Sequence, residues 1–140
     1  MSATSAARST SEREVPAAMA AAVMSWVGGF DILYALQDIE FDRAHGLHSI
    51  PAAFGETRGI AISRGLHAVV VASLAAVGVG AGLGGFYFAG VTAVAALLLY
   101  EHSLVRPGDL SKLDAAFFTM NGVISLTFFA FVLAGRMFTR

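Results

Sequence analysis

Apolar residues fall into three long blocks along the chain, separated by two polar stretches. Ala17 to Leu36 is interrupted only by Ser25, Asp31 and Tyr34. At 1.5 Å per residue such a helix reaches across a bilayer core of about 30 Å. A polar stretch, Gln37 to Arg64, follows and contains Pro51 and several glycines. Ala68 to Tyr100 then carries no charged residue, and it is too long for one ordinary span. Gly82-Leu83-Gly84-Gly85 near its middle predicts a tight turn between two short spans. After a second polar loop, Glu101 to Asp114, the run Ala115 to Gly135 supplies a fourth span. The expected spans are therefore about 17–38, 66–83, 85–101 and 115–135. Gly78-x-x-x-Gly82 and Gly80-x-x-x-Gly84 predict close helix approach.

Composition agrees with this pattern. Charged residues are 14% and apolar residues 56% of the chain, with a mean hydropathy of +0.70. A soluble domain of 140 residues would need more charge than this to cover its surface. The fold class expected is an all-α membrane protein whose partner is the lipid bilayer. A net charge of −1 gives no reason to expect a nucleic-acid partner. The absence of cysteine excludes disulfides, thiolate metal sites and cysteine nucleophiles.

Residues 1–16 differ from the rest, being rich in Ser, Ala and Thr, and are expected to form a disordered lead-in before a membrane domain over 17–140. If both polar loops face the cytoplasm, Arg43, Arg58, Arg64, Arg106 and Lys112 lie inside. Arg8, Arg13, Arg136 and Arg140 lie outside, a slim positive-inside margin.

Four of the ten acidic residues fall between positions 31 and 42: Asp31, Asp38, Glu40 and Asp42. At about 100° per residue, Asp38 and Asp42 lie roughly 20° to either side of Asp31 on a continuous helix. Tyr34 lies near the same stripe, and Glu40 points away from it. A carboxylate inside a span costs on the order of 2.5–3.5 kcal/mol and normally faces a cavity or a partner. Aligned carboxylates repel one another unless a cation sits among them, and hard oxygen donors suit Mg²⁺. The bland alternative is that Asp38, Glu40 and Asp42 are solvated residues at a helix end.

The whole stretch reads Asp31-x-x-Tyr34-Ala35-x-x-Asp38-x-x-x-Asp42-Arg43, then Gly46-x-x-Ser49 and Phe54-Gly55. It resembles the second aspartate-rich motif of the UbiA superfamily of intramembrane prenyltransferases, in the 4-hydroxybenzoate polyprenyltransferase branch. Tyr100-Glu101-His102 and Ala116-Phe117-Phe118-Thr119-Met120-Asn121-Gly122 are similar to that branch too. The resemblance covers roughly residues 23–138. It implies the C-terminal part of a nine-helix bundle that uses Mg²⁺ to transfer a polyprenyl group from an isoprenoid diphosphate to an aromatic acceptor, as in ubiquinone or menaquinone synthesis. Asp38 and Asp42 would then be metal ligands, Asp31 would sit deeper, near the aromatic acceptor or the reacting carbon, and Tyr34 would stabilise the cation or hold a phosphate oxygen. Arg43 and the loop around His48 and Ser49 would grip diphosphate, unless His48 is simply an exposed loop histidine; Asn121, within the last span, is either a further substrate contact or one end of an interhelical hydrogen bond. The motif would face the cytoplasm from an inner membrane.

Two departures stand out. His48 occupies a position where many members carry Lys. The family's first Asn/Asp-rich motif is absent, and residues 1–22 hold neither Asp nor Asn. Activity is therefore expected to need the family's N-terminal helices as a partner. The alternatives are a non-catalytic membrane protein or a cation-binding or transport protein. His45, His67 and His102 lack metalloprotease spacing and receive no ligand role.

Overall fold

The structure, a computed structural model, describes residues 3–138, with side chains from Arg13 onward. Met1, Ser2 and Arg140 lie outside the described residues, and the side chain of Arg8 is likewise not described. Helix α1 spans Ala3–Ala35, α2 Ile39–Ala44, α3 Ile50–Phe54, α4 Glu56–Gly80, α5 Gly85–Leu104 and α6 Met120–Phe138. A tightened 3₁₀ turn, Leu36–Asp38, joins α1 to α2, and a wider π stretch, Ala115–Thr119, leads into α6. Four of the helical segments are long and apolar enough to cross a membrane: Arg13–Ala44, Glu56–Gly80, Gly85–Leu104 and Ala115–Phe138.

Two of the expected boundaries move. α1 begins at Ala3, so the stretch expected as a disordered lead-in is helical from that residue. Its alanines, Arg13 and Glu14 are good helix formers, and together they carry the helix through Pro16 at the loss of one backbone hydrogen bond. α4 begins at Glu56, ten residues before the expected start of the second span. Its first turns alternate polar residues with buried Gly59, Ile60 and Ser63, so they form an amphipathic helix that an unbroken apolar run does not reveal.

α1 packs along α4, α5 packs along α6, and α4 also meets α5, from their shared turn to His67 and His102. Ala81–Gly84 makes that turn as the glycine cluster predicts. Gly82 has φ 62°, and the Leu83 amide donates to the Gly78 carbonyl at 2.8 Å, closing α4 with the left-handed cap that glycine favours. Gly78 and Gly80 do permit close approach: a Cβ on Gly78 would lie 2.6 Å from the Tyr87 ring, and one on Gly80 would lie 2.8 Å from Val15. Gly82 and Gly84 serve the turn instead.

Three apolar clusters run down the bundle. Val77, Tyr87 and Val91 sit near the α4–α5 turn, with Phe30, Val94, Leu98, Met120 and Ile124 in the middle. Leu33, Leu36, Ile60, Val105, Leu113 and Ala116 fill the other end. Outward residues are apolar as well: Met24, Val79 and Leu99 are each 75% exposed and Leu126 71%. Apolar side chains on both the inside and the outside are what a lipid environment selects. The chain connections bring both polar loops to the same end of the bundle. There the Gly108 amide donates to Glu56 and Gln37 donates to Asp114.

Candidate functional site

The polar end is organised around the last turns of α1. Asp31 is exposed on this helix, and Tyr34, one turn on, is 45% exposed on the same side. The 3₁₀ turn winds about 120° per residue instead of 100°, so it rotates Asp38 and Asp42 together by roughly 60° relative to Asp31. The straight stripe expected from the sequence is therefore skewed. Asp38 and Asp42 stay one helical turn apart, with Asp38 exposed and Asp42 half-buried. Glu40 is exposed as well.

The π stretch forms the wall beside Tyr34. One extra residue per turn swings Phe117 toward α1, placing its ring 5.0 Å from Tyr34 and 6.1 Å from Phe30. Phe118 meets Tyr34 edge-on at 6.5 Å. One turn later Asn121 accepts a hydrogen bond from the Trp26 indole at 3.1 Å. Asn121 therefore makes an interhelical bond, and that bond fixes its amide orientation.

The connector after α2 is held by two of the residues singled out in the sequence. The Arg43 guanidinium donates from Nε to the Ala52 carbonyl at 3.0 Å. Ser49 caps α3, its hydroxyl oxygen accepting from the Ala52 amide at 3.2 Å. His48 is exposed on the same connector. Arg43 in the last turn of α2 and His48 and Ser49 on the short connector after it thus gather beside Asp42.

A second polar group lies deeper. His67 on α4 is 2% exposed, and Glu101 and His102 at the end of α5 are 0% and 10% exposed. The notch for His67 is made by Gly29, where a Cβ would fall 2.3 Å from its Nε2. Ser63, one turn away, donates to the Gly29 carbonyl at 2.8 Å and fixes that crossing. His67, Glu101 and His102 place one ligand atom each within 4.8 Å of one another. Among the described residues this is the group of three ligand-type side chains that converges, whereas Asp31, Asp38 and Asp42 do not meet that geometry. Nothing in the sequence pattern links His67 to the Glu101-His102 pair; the signal there is Tyr100-Glu101-His102 closing an otherwise apolar run.

The profile of the UbiA prenyltransferase family matches residues 1–134. The chain belongs to that family. The match takes in the Ser/Ala-rich leader, which the residue-by-residue resemblance leaves out. Among curated relatives, the 4-hydroxybenzoate octaprenyltransferase of Aromatoleum aromaticum is 31% identical over 77% of this chain and 36% of its own length. The protein of the same name from Marinobacter nauticus is 35% identical over 69% of this chain and 32% of its own. That of Alkalilimnicola ehrlichii is 33% identical over 77% and 36%. The chain thus spans about a third of the length of these relatives. No solved structure matches it.

Proposed function

We propose that this chain supplies the second aspartate-rich motif of an intramembrane enzyme. That enzyme would transfer a polyprenyl group from an isoprenoid diphosphate to an aromatic acid of the 4-hydroxybenzoate kind, in ubiquinone- or menaquinone-type synthesis. Family membership and the names of the relatives support the reaction class. The observation that carries the assignment to these residues is the exposed face of α1. Asp31 lies within a span yet is not buried against α4, α5 or α6, and Tyr34 shares its exposure. A carboxylate open to lipid is costly, so this face calls for further helices or a bound polar ligand to cover it.

In the reaction the allylic C–O bond to diphosphate breaks, a ring carbon of the acceptor bonds to the allylic carbon, and the ring proton leaves. Asp38 and Asp42, hard oxygen donors one turn apart at the polar end, would hold a Mg²⁺. When bound, Mg²⁺ would neutralise charge on the departing diphosphate. Arg43 at the end of α2 and His48 and Ser49 on the connector after it would hold the diphosphate oxygens. Tyr34, backed by Phe117 and Phe118, would offer aromatic faces to the allylic cation and exclude water from it. Asp31, deeper on the same face, would orient the acceptor near the reacting carbon. Asn121 would contact the acceptor from α6. The family's N-terminal helices, carrying the other aspartate-rich motif, would complete the site, with the loops toward the cytoplasm in an inner membrane.

The test is binding of an isoprenoid diphosphate to the chain in lipid nanodiscs, with Mg²⁺ or with chelator, followed by ³¹P NMR. Mg²⁺-dependent broadening that disappears in Asp38→Asn supports the reading. Ion flux across vesicles with no diphosphate affinity would replace it with cation transport.

A further inference from the structure

The cluster of His67, Glu101 and His102 lies apart from the face assigned to the diphosphate, and its unmet hydrogen-bonding capacity needs explaining. Both Glu101 oxygens and His102 Nδ1 are buried and have no hydrogen-bond partner. Leaving a buried carboxylate without a donor is strongly unfavourable, so native proteins pair such groups or place a cation on them. The contacts around Glu101 are too long for hydrogen bonds. Its Oε1 lies 3.5 Å from His67 Nδ1 and 3.9 Å from His102 Nε2.

The two histidine nitrogens lie 2.9 Å apart. An N–H···N bond would satisfy those two atoms and leave the carboxylate stranded. A cation held between Nδ1, Nε2 and Oε1 would give the carboxylate a partner as well. The point equidistant from Nδ1, Nε2 and Oε1 lies about 2.0 Å from each, which is the length of a zinc–nitrogen or zinc–oxygen bond. Spacings of 3.5 and 3.9 Å, which are poor as hydrogen bonds, are thus the spacings of atoms that share a metal ion.

We propose that His67 Nδ1, His102 Nε2 and Glu101 Oε1 form a binding site for a divalent transition-metal ion of the zinc class. Two imidazoles and one carboxylate select Zn²⁺ or its neighbours over Mg²⁺, which prefers an all-oxygen octahedron. The site joins α4 to α5 beside the point where Gly29 of α1 crosses α4. Three protein ligands leave a fourth position, and both histidines line a cleft of about 640 Å³ bordered by Arg64, Val71, Leu98 and Leu99. That cleft gives the ion a way in.

The experiment uses the full chain, purified in detergent without a polyhistidine tag, stripped with chelator and titrated with Co²⁺. One Co²⁺ per chain is expected, with visible d–d bands of a low-coordinate N/O site, displaced by Zn²⁺ and unaffected by excess Mg²⁺. His102→Gln and Glu101→Gln should lose the bands, while His45→Gln, which alters an exposed histidine, should keep them. X-ray absorption of the Zn²⁺ form covers the case in which a variant does not fold: two histidine nitrogens and one oxygen at about 2.0 Å are expected. No stoichiometric Co²⁺ uptake by the wild-type chain, or a spectrum unchanged in folded His102→Gln, would overturn the site. Neither readout depends on prenyl transfer, so the site stands or falls separately from the proposed reaction.

Discussion

The Trp26 indole Nε1 donates to Asn121 Oδ1 at 3.1 Å, tying the C-terminal third of α1 to the start of α6 across 95 residues of sequence. Both partners are part-buried, so the bond competes little with water. Hydrogen bonds between membrane helices contribute on the order of 0.5–1.5 kcal/mol each. Trp26→Phe and Asn121→Leu should each destabilise the bundle, and the double variant should cost less than the sum by about that amount. Reversible unfolding in mixed micelles measures this coupling. Strict additivity would mean that the two side chains do not interact.

Gly29 and Gly65 make opposite predictions. A methyl group on Gly29 would collide with the His67 ring, and relief would require moving a buried side chain or separating α1 from α4. Gly29→Ala should cost about 1–3 kcal/mol, the usual penalty of overpacking. Gly65, on the same helix as His67, has open space where its Cβ would go. Gly65→Ala should stabilise α4 by about 0.5–1 kcal/mol through helix propensity. Equal effects in the same unfolding assay would contradict the α1–α4 crossing.

The loop between α5 and α6 offers a pH test. Asp109 accepts hydrogen bonds from the hydroxyl of Ser111 at 2.6 Å and from its amide at 3.1 Å. These bonds, with help from Lys112 and Arg106, hold its carboxyl below the ordinary Asp value. A depressed folded-state pKa means that the contribution to the turn is present above the ordinary Asp pKa. It is lost as pH falls through the depressed value. Ser111→Ala should raise the Asp109 midpoint in a carboxyl ¹³C titration. An unchanged midpoint would remove Ser111 as the cause.

How much of this was readable from the chain differs from residue to residue. Apolar blocks bounded by polar loops are a one-dimensional signal, so the four spans and the Gly82 turn follow directly. The first turns of α4 do not, because Glu56, Arg58 and Arg64 hide an inward face of Gly59, Ile60 and Ser63 that shows only at helical period. Asp31, Asp38 and Asp42 stand out because charge is rare here. Their skew comes from the 3₁₀ turn, which depends on how Leu36 packs against Leu33 and Ile60. His67 and His102 sit 35 positions apart, and only the pairing of α4 with α5 brings them together.

Under the proposed function, Asp38 and Asp42 hold the metal-bound diphosphate of a prenyl donor while Glu40 does not. The direct measurement is transfer of a radiolabelled prenyl group to 4-hydroxybenzoate in membranes holding this chain together with the N-terminal helices of a relative. Product that requires Mg²⁺, vanishes in Asp38→Asn with the chain still folded, and persists in Glu40→Gln is the predicted result. Full turnover in Asp38→Asn, or an equal loss in Glu40→Gln, would contradict it.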